Sequence, residues 1–348
     1  MNPYIILIMA FSLLLGSSIV ISSNHWMLAW LGLEINTLAI IPLMIKNHHP
    51  RAIEAATKYF LVQATASTIM LFSCTMNAWE VSGWSISPYI NTAAMDFLTI
   101  ALTMKLGIAP FHFWLPDVLQ GLTLPTGLIL STWQKLPPII LLIEISPATN
   151  LNLLLTMGLL SSIVGGWGGL NQTQLRKLLA YSSIANLGWI IAVLKLSPSL
   201  ALFSFAIYAL ITSTFFMALI ILNVKTTPEF MLAWSKSPSL TAFTLLLLLS
   251  LAGLPPFTGF LPKLLIALEL VKQNLNLYAI ALLISSLISL FFYLRLTYIL
   301  AITLAPHPFY SMVSWLHPHK RHVSIIFSVM MTLSLFLAPL YPFLSVFP

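Results

Sequence analysis

Four ionisable side chains fall deep inside apolar runs of the sequence: Glu34, Lys105, Lys135 and Lys263. Charge at that depth is costly unless it is paired or hydrated, and inside a bilayer such groups usually mark ion or proton routes. Three lysines and one carboxylate cannot all be paired and charged. Burial disfavours the charged form of a lysine and a nearby carboxylate favours it, so lysines in such surroundings sit where protonation is switchable. A row of switchable lysines is a proton relay. The alternative is that each charge pins helices together or snorkels to an interface.

Lys105 is the centre of this pattern. It lies in MKLGIAPFHFWLPDV (104–118), where Gly107 and Pro110 follow closely. Proline removes a helix hydrogen bond and glycine weakens the turn before it, so the backbone is expected to open there. Open backbone at membrane depth is tolerated only beside protein or a water-filled cavity. The lysine and the break therefore point to one hydrated site near the midplane. SLAGLPPFTGFLPK (250–263) repeats the device, with Gly253, Pro255, Pro256 and Gly259 in an apolar run that ends on Lys263.

Weaker signals surround these four. His112, beside the first break, could carry protons or satisfy freed backbone groups. Ser182, Ser183, Asn186 and Gly188 form a polar, small-residue stripe that suits close helix packing and could also hold water. Arg295 could be functional or could reach an interface, and Glu144 and Glu269 lie near helix ends where solvation or capping is expected. Asp117 is placed near a surface. His48 and His49 are adjacent in a charged loop and make a poor metal site without further ligands. The glycines at 165, 166, 168 and 169 lack the lysine and the preceding strand of a phosphate loop, and they read as a packing or turn feature.

The elements that must hold these groups follow from composition. Of 348 residues, 59% are hydrophobic and 7% charged, and the mean hydropathy is +0.97. That balance belongs to an all-α polytopic membrane protein. The net charge of +7 comes from 15 Lys and Arg spread along the chain, which form no basic stripe for nucleic acid. A single cysteine, Cys74, excludes disulfide frameworks and thiolate-held clusters within the chain. The first residues, MNPYIILIMAFSLLLGSSIVI, read as a membrane helix rather than a transit or signal peptide.

Apolar runs long enough to cross about 30 Å of hydrocarbon predict eleven transmembrane helices. Their spans are 3–22, 26–45, 54–76, 93–120 (broken), 122–145, 150–169, 175–195, 199–223, 239–272 (broken), 276–303 and 323–346. Lys46, Arg51, Lys58, Arg176, Lys177, Lys225, Lys236, Lys320 and Arg321 lie on or beside even-numbered connections, against Lys195 and Lys272 on odd ones. The positive-inside rule then puts the even loops and the N-terminus on the inner side, and an odd helix count puts the C-terminus outside. Two broken helices running in opposite directions are the pointer to inverted repeats. The expected organisation is one membrane domain over 1–348, with five-helix repeats at 1–145 and 150–303 and a loop and final helix at 304–348.

EAATKYFLVQATAS (54–67), MKLGIAPFHFWLPDV (104–118), WGGLNQTQLRKLLAYSSIANLGW (167–189) and LAGLPPFTGFLPK (251–263) carry a family. The chain resembles the antiporter-like membrane subunits of respiratory complex I, in their animal mitochondrial form, which lacks three N-terminal helices of bacterial relatives. The resemblance implies a non-redox, proton-translocating subunit in the mitochondrial inner membrane, with its N-terminus on the matrix side and its C-terminus towards the intermembrane space. It implies that Glu34, Lys105, Lys135 and Lys263 form the relay; the outward placement of Lys263, beyond its helix break, puts the expected proton exit there. It also implies partners among the other membrane-arm subunits, including neighbouring antiporter-like ones. NADH, flavin, iron–sulfur clusters and ubiquinone are implied to belong to other subunits, with no cofactor or metal in this chain. Many relatives carry histidine where this chain has Asn186, and asparagine takes up no proton at neutral pH, so a relay step there must use water. The rivals are a free-standing cation/proton antiporter and a structural subunit with no proton path of its own.

Overall fold

A computed structural model of the chain describes residues 3–46, 48–86, 92–302 and 325–336. In the order of the chain, the helices are α1 (Pro3–Ser22), α2 (Trp26–Met44), α3 (Pro50–Val81), α4 (Thr92–Leu106), α5 (Trp114–Gly121), α6 (Leu124–Ser131), α7 (Leu136–Ile145), α8 (Leu151–Gly169), α9 (Leu175–Val193), α10 (Pro198–Leu222), α11 (Thr227–Met231), α12 (Ala233–Lys236), α13 (Pro238–Ala252), α14 (Phe260–Lys272), α15 (Asn276–Ile302) and α16 (Ile325–Phe336). Among the described residues, extended pairing is limited to two isolated bridges, His25 with Ser85 and Gln174 with Thr226. Seven apolar stretches among them are long enough to span a membrane: α1, α2, α3, Leu124–Ile145, α8, α10 and α15.

Local chemistry explains where the helices begin and break. Pro50 takes the first turn of α3, where its missing N–H costs nothing, and His49 caps that helix by accepting from the Arg51 N–H at 3.2 Å. The histidine pair weighed above as a weak metal site thus includes a helix cap. The expected broken helix over 93–120 is α4 and α5, and that over 239–272 is α13 and α14. The expected continuous helix over 122–145 is interrupted as well. A 3-10 turn at Trp133–Lys135 separates α6 from α7. Pro137 and Pro138 have no N–H for the carbonyls of Trp133 and Gln134, and the Leu136 N–H turns to Trp133 O instead. The last helix is described only over α16; Lys320 and Arg321 lie outside the described residues.

The chain clusters into two compact units, Met1–Ser161 with Ile190–Pro198, and Ser162–Trp189 with Ser199–Pro348. In the first, α1 packs on α2, α2 on α3, and α3 on α4 and α5, while α7 packs on α1 and α4. In the second, α15 packs on α13, α14 and α11, and α16 packs on α13. The helices are apolar nearly all round, as expected in lipid. On α1, Tyr4, Leu7, Ile8 and Phe11 stay exposed while Leu13, Gly16, Ser17 and Val20 are buried.

The break in the second unit depends on one close approach. A Cβ on Gly259 would stand 1.8 Å from the Ser250 carbonyl oxygen, a backbone atom that cannot swing away. Gly259→Ala is therefore expected to reduce strongly the amount of folded chain recovered. Gly83→Ala, whose Cβ would meet nothing closer than 3.9 Å, should leave it unchanged. Quantifying both variants in isolated membranes checks this.

Candidate functional site

The first break ends α4 with a Schellman cap. Gly107 adopts φ +74°, its N–H donates to Met104 O, and the Ile108 N–H donates to Thr103 O, both at 3.1 Å. Side-chain donors reach two carbonyls near the helix end, one of them already in the cap. Trp114 Nε1 donates to Met104 O at 3.3 Å, and Gln63 Nε2 of α3 donates to Lys105 O at 3.4 Å. His112 is buried beside them, its Nδ1 3.2 Å from Pro110 O. Of the two readings of this histidine, the contact it makes is with freed backbone.

Lys105 occupies the last turn of α4, where the carbonyl end of the helix favours a cation. Its ammonium lies 3.8 Å from Glu34 Oε1 of α2, with the lysine side chain 2% and the glutamate side chain 23% exposed. Attraction at that distance is about 4 kcal/mol before desolvation, at an effective dielectric of 20. The contact is an ion pair and not a hydrogen bond: neither Lys105 Nζ nor Glu34 Oε1 has a hydrogen-bond partner among the described residues. The other carboxylate oxygen, Oε2, accepts from Thr37 Oγ1 at 3.3 Å.

Lys135 is buried at the 3-10 turn that interrupts the fifth predicted helix and stands at the N-terminus of α7. Lys105 and Lys135 line the same small cavity, together with Asn36, Tyr59, Gln63 and Gln134, and it has about 20 Å³ of room for the centre of a water molecule. Gln134 also ties the 3-10 turn to α2, donating from Nε2 to Asn36 O at 3.2 Å. Three of the four predicted site residues, Glu34, Lys105 and Lys135, are thus gathered in one unit.

The second break has the same cap. Gly253 adopts φ +81°, its N–H donates to Ser250 O at 3.0 Å, and the Leu254 N–H donates to Leu249 O at 3.4 Å. Lys263 lies in the first turn of α14, beyond the break in sequence, yet its side chain reaches back so that Nζ donates to the O of Ala252, the last residue of α13, at 2.9 Å. Side chains lean towards the N-terminus of their helix, which brings this ammonium to the carbonyl end of α13. Thr258 completes the turn by donating to Ser334 O of α16.

The remaining predicted residues have structural partners. Ser182 and Ser183 donate back to Leu179 O and Ala180 O. The stripe on α9 lies beside two buried tyrosines, with Ser182 and Asn186 near Tyr293 and Ser183 near Tyr208. Gly165 of α8 admits the α9 backbone, since a Cβ there would stand 2.5 Å from Ala185 N. Arg295 Nη1 donates to Leu170 O at 2.8 Å, just past the end of α8. Asp117 pairs with Lys58 at 3.0 Å, and Lys58 also meets Glu54 at 2.8 Å. Glu269 pairs with Lys272 at 3.5 Å. Among the described residues, no cluster of three or more His, Cys, Asp and Glu could hold a metal ion. Sequence reasoning missed Gln63, Trp114, Asn36 and Gln134; the available signal was uncharged polar atoms inside apolar runs, each of which needs a partner.

Comparison with known proteins defines the class first. Residues 23–289 match the family described as NADH:quinone oxidoreductase/Mrp antiporter, TM, and residues 290–345 match the NADH dehydrogenase subunit 2 C-terminus. The chain is 54% identical over 342 residues to the NADH-ubiquinone oxidoreductase chain 2 of Aquarana catesbeiana, covering 98% of each protein. It is 53% identical to the chain of the same name in Xenopus laevis, over 98% of this chain and 99% of the relative. A chain of respiratory complex I from Thermus thermophilus, solved with bound aureothin, superposes with a TM-score of 0.83 at 25% identity, over 98% of this chain and 80% of that one. The chain belongs to the NADH-ubiquinone oxidoreductase chain 2 family.

The cap at the first break gives a local test. Gln63→Leu removes the donor to Lys105 O, a loss of about 1–3 kcal/mol for a buried carbonyl. Amide exchange at Gly107 and Ile108 is expected to quicken while that at Gly253 and Leu254 stays unchanged. Peptide-resolved hydrogen exchange on the assembled complex reads both.

Proposed function

We propose that the chain is the proton-translocating, non-redox chain 2 of the membrane arm of NADH:ubiquinone oxidoreductase, in the mitochondrial inner membrane. The observation that carries the reading is the Glu34–Lys105 pair, a buried lysine and a half-buried glutamate 3.8 Å apart at a helix break without a hydrogen bond between them. In this reading eleven helices cross the membrane as two inverted five-helix repeats and a final helix. The N-terminus faces the matrix and the C-terminus the intermembrane space. The partners are other membrane-arm subunits, which also carry the flavin, the iron–sulfur clusters and the sites for NADH and ubiquinone. The activity belongs to the assembled reductase.

Protons enter from the matrix side, pass from Lys105 to Lys135, and leave outward by way of Lys263. Glu34 gates the first step: with the pair close, the proton stays on Lys105, and with the pair apart, Lys105 hands it on. Moving one charge against the membrane potential costs about 2.3 kcal/mol per 100 mV. The pair's attraction of about 4 kcal/mol is of the size needed to hold or release that step. A hop between lysines lining one small cavity needs no large movement of the backbone.

The test is proton translocation per electron in assembled complex carrying Lys105→Met, Lys135→Met or Lys263→Met, beside the amount of complex formed. Normal assembly with lowered translocation, or with turnover stalled because pumping is coupled, is the expected result for all three. Normal assembly with unchanged rate and stoichiometry would make the lysines structural pins. Loss of assembly alone would point to the linking subunit, and sodium or potassium dependence to a cation/proton antiporter.

A further inference from the structure

Asn36 lies in the first unit, 1% exposed, on the helix that carries Glu34. Neither its side-chain nitrogen nor its side-chain oxygen has a hydrogen-bond partner among the described residues. Leaving a buried amide so is costly, and the usual remedy is an ordered water. Asn36 lines the small cavity shared by Lys105 and Lys135. Lys105, whose Nζ is likewise orphaned, lines the same cavity, and the orphaned Glu34 Oε1 lies 3.8 Å from that Nζ. About 20 Å³ for the centre of a water is room for one molecule, which needs two to four polar partners. The surroundings supply them.

We infer that Asn36 is a positioning residue that holds one water between Lys105 and Lys135, and that this water carries the proton between them. The inference rests on the proton-relay reading above. The step is balanced: the Lys105 ammonium gives a proton to the water, and the water gives one of its protons to neutral Lys135, so no bond changes other than N–H and O–H. An amide can fix such a water because it offers both a donor and an acceptor and takes up no proton at neutral pH, so it orients the carrier without trapping the charge. The amide is itself held in place. Its oxygen would lie 2.5 Å from a Cβ at Gly16, and its own backbone carbonyl receives Gln134 Nε2. The second contact ties the water's holder to the turn that carries Lys135.

Packing and positioning make opposite demands at this residue. Asn36→Leu keeps the branched shape and fills the space with apolar atoms, whereas Asn36→Ser opens space for water and keeps a hydroxyl. In assembled complex, Asn36→Leu is expected to lose protons per electron to the same extent as Lys105→Met, and Asn36→Ser to stay near the unmodified ratio. An unchanged ratio in Asn36→Leu, or equal losses in both variants, would overturn the role of Asn36 while leaving the relay reading intact. Normal pumping by Lys105→Met would overturn that reading, and the inference falls with it. The unmodified complex gives a readout independent of variant assembly: a high-resolution map is expected to show a water within hydrogen-bond distance of the Asn36 amide, and a dry cavity would overturn the inference.

Discussion

A helix that stops inside an apolar layer leaves carbonyl groups that only other protein groups or water can satisfy. Both units meet that constraint in the same way. A glycine with positive φ, Gly107 or Gly253, closes a Schellman cap on α4 or α13 and satisfies two carbonyls from within the backbone. Side-chain donors add to the caps: Gln63 on Lys105 O and Trp114 as a second donor on Met104 O at the first break, Lys263 on Ala252 O at the second. The carbonyl end of a helix is also its negative end, so each break attracts a cation. In the proposed relay, lysine serves the fold and the chemistry at the same spot.

The two breaks differ in how their lysines are held. Lys263 is hydrogen-bonded to the carbonyl end of α13, while Lys105 rests against a carboxylate at ion-pair distance without a hydrogen bond. Lys135 is placed differently again, at the N-terminus of α7. Lys105 and Lys135 therefore face one cavity from helix ends of opposite polarity. The looser hold on Lys105 fits the gating role proposed for Glu34.

Much of this was legible in the sequence because glycine, proline and charge act locally. Gly107 with Pro110, and Gly253 with Pro255 and Pro256, announce the breaks without any knowledge of neighbours. A lysine in an apolar run needs no partner to stand out. The interruption at Trp133–Lys135 escaped the reading because the run over 122–145 is long enough to cross a membrane in one pass, and Pro137 and Pro138 have no glycine beside them as the other two breaks do. Lys263 was expected to act beyond its break, and the lean of its side chain returns it to the break. The donors that complete the first cap were not legible: Gln63 and Lys105 are 42 positions apart, and no local pattern couples them. Asn36 gave only the weak sign of an amide in an apolar helix.

The most direct measurement is a double-variant cycle between Glu34 and Lys105, read as protons translocated per electron by complex of checked assembly. If Glu34 acts by setting the state of Lys105, the effects of Glu34→Gln and Lys105→Met are strongly non-additive, and the double variant is no worse than Lys105→Met alone. Losses that simply add would mean that the two charges act independently, and a gate built on their contact would not exist.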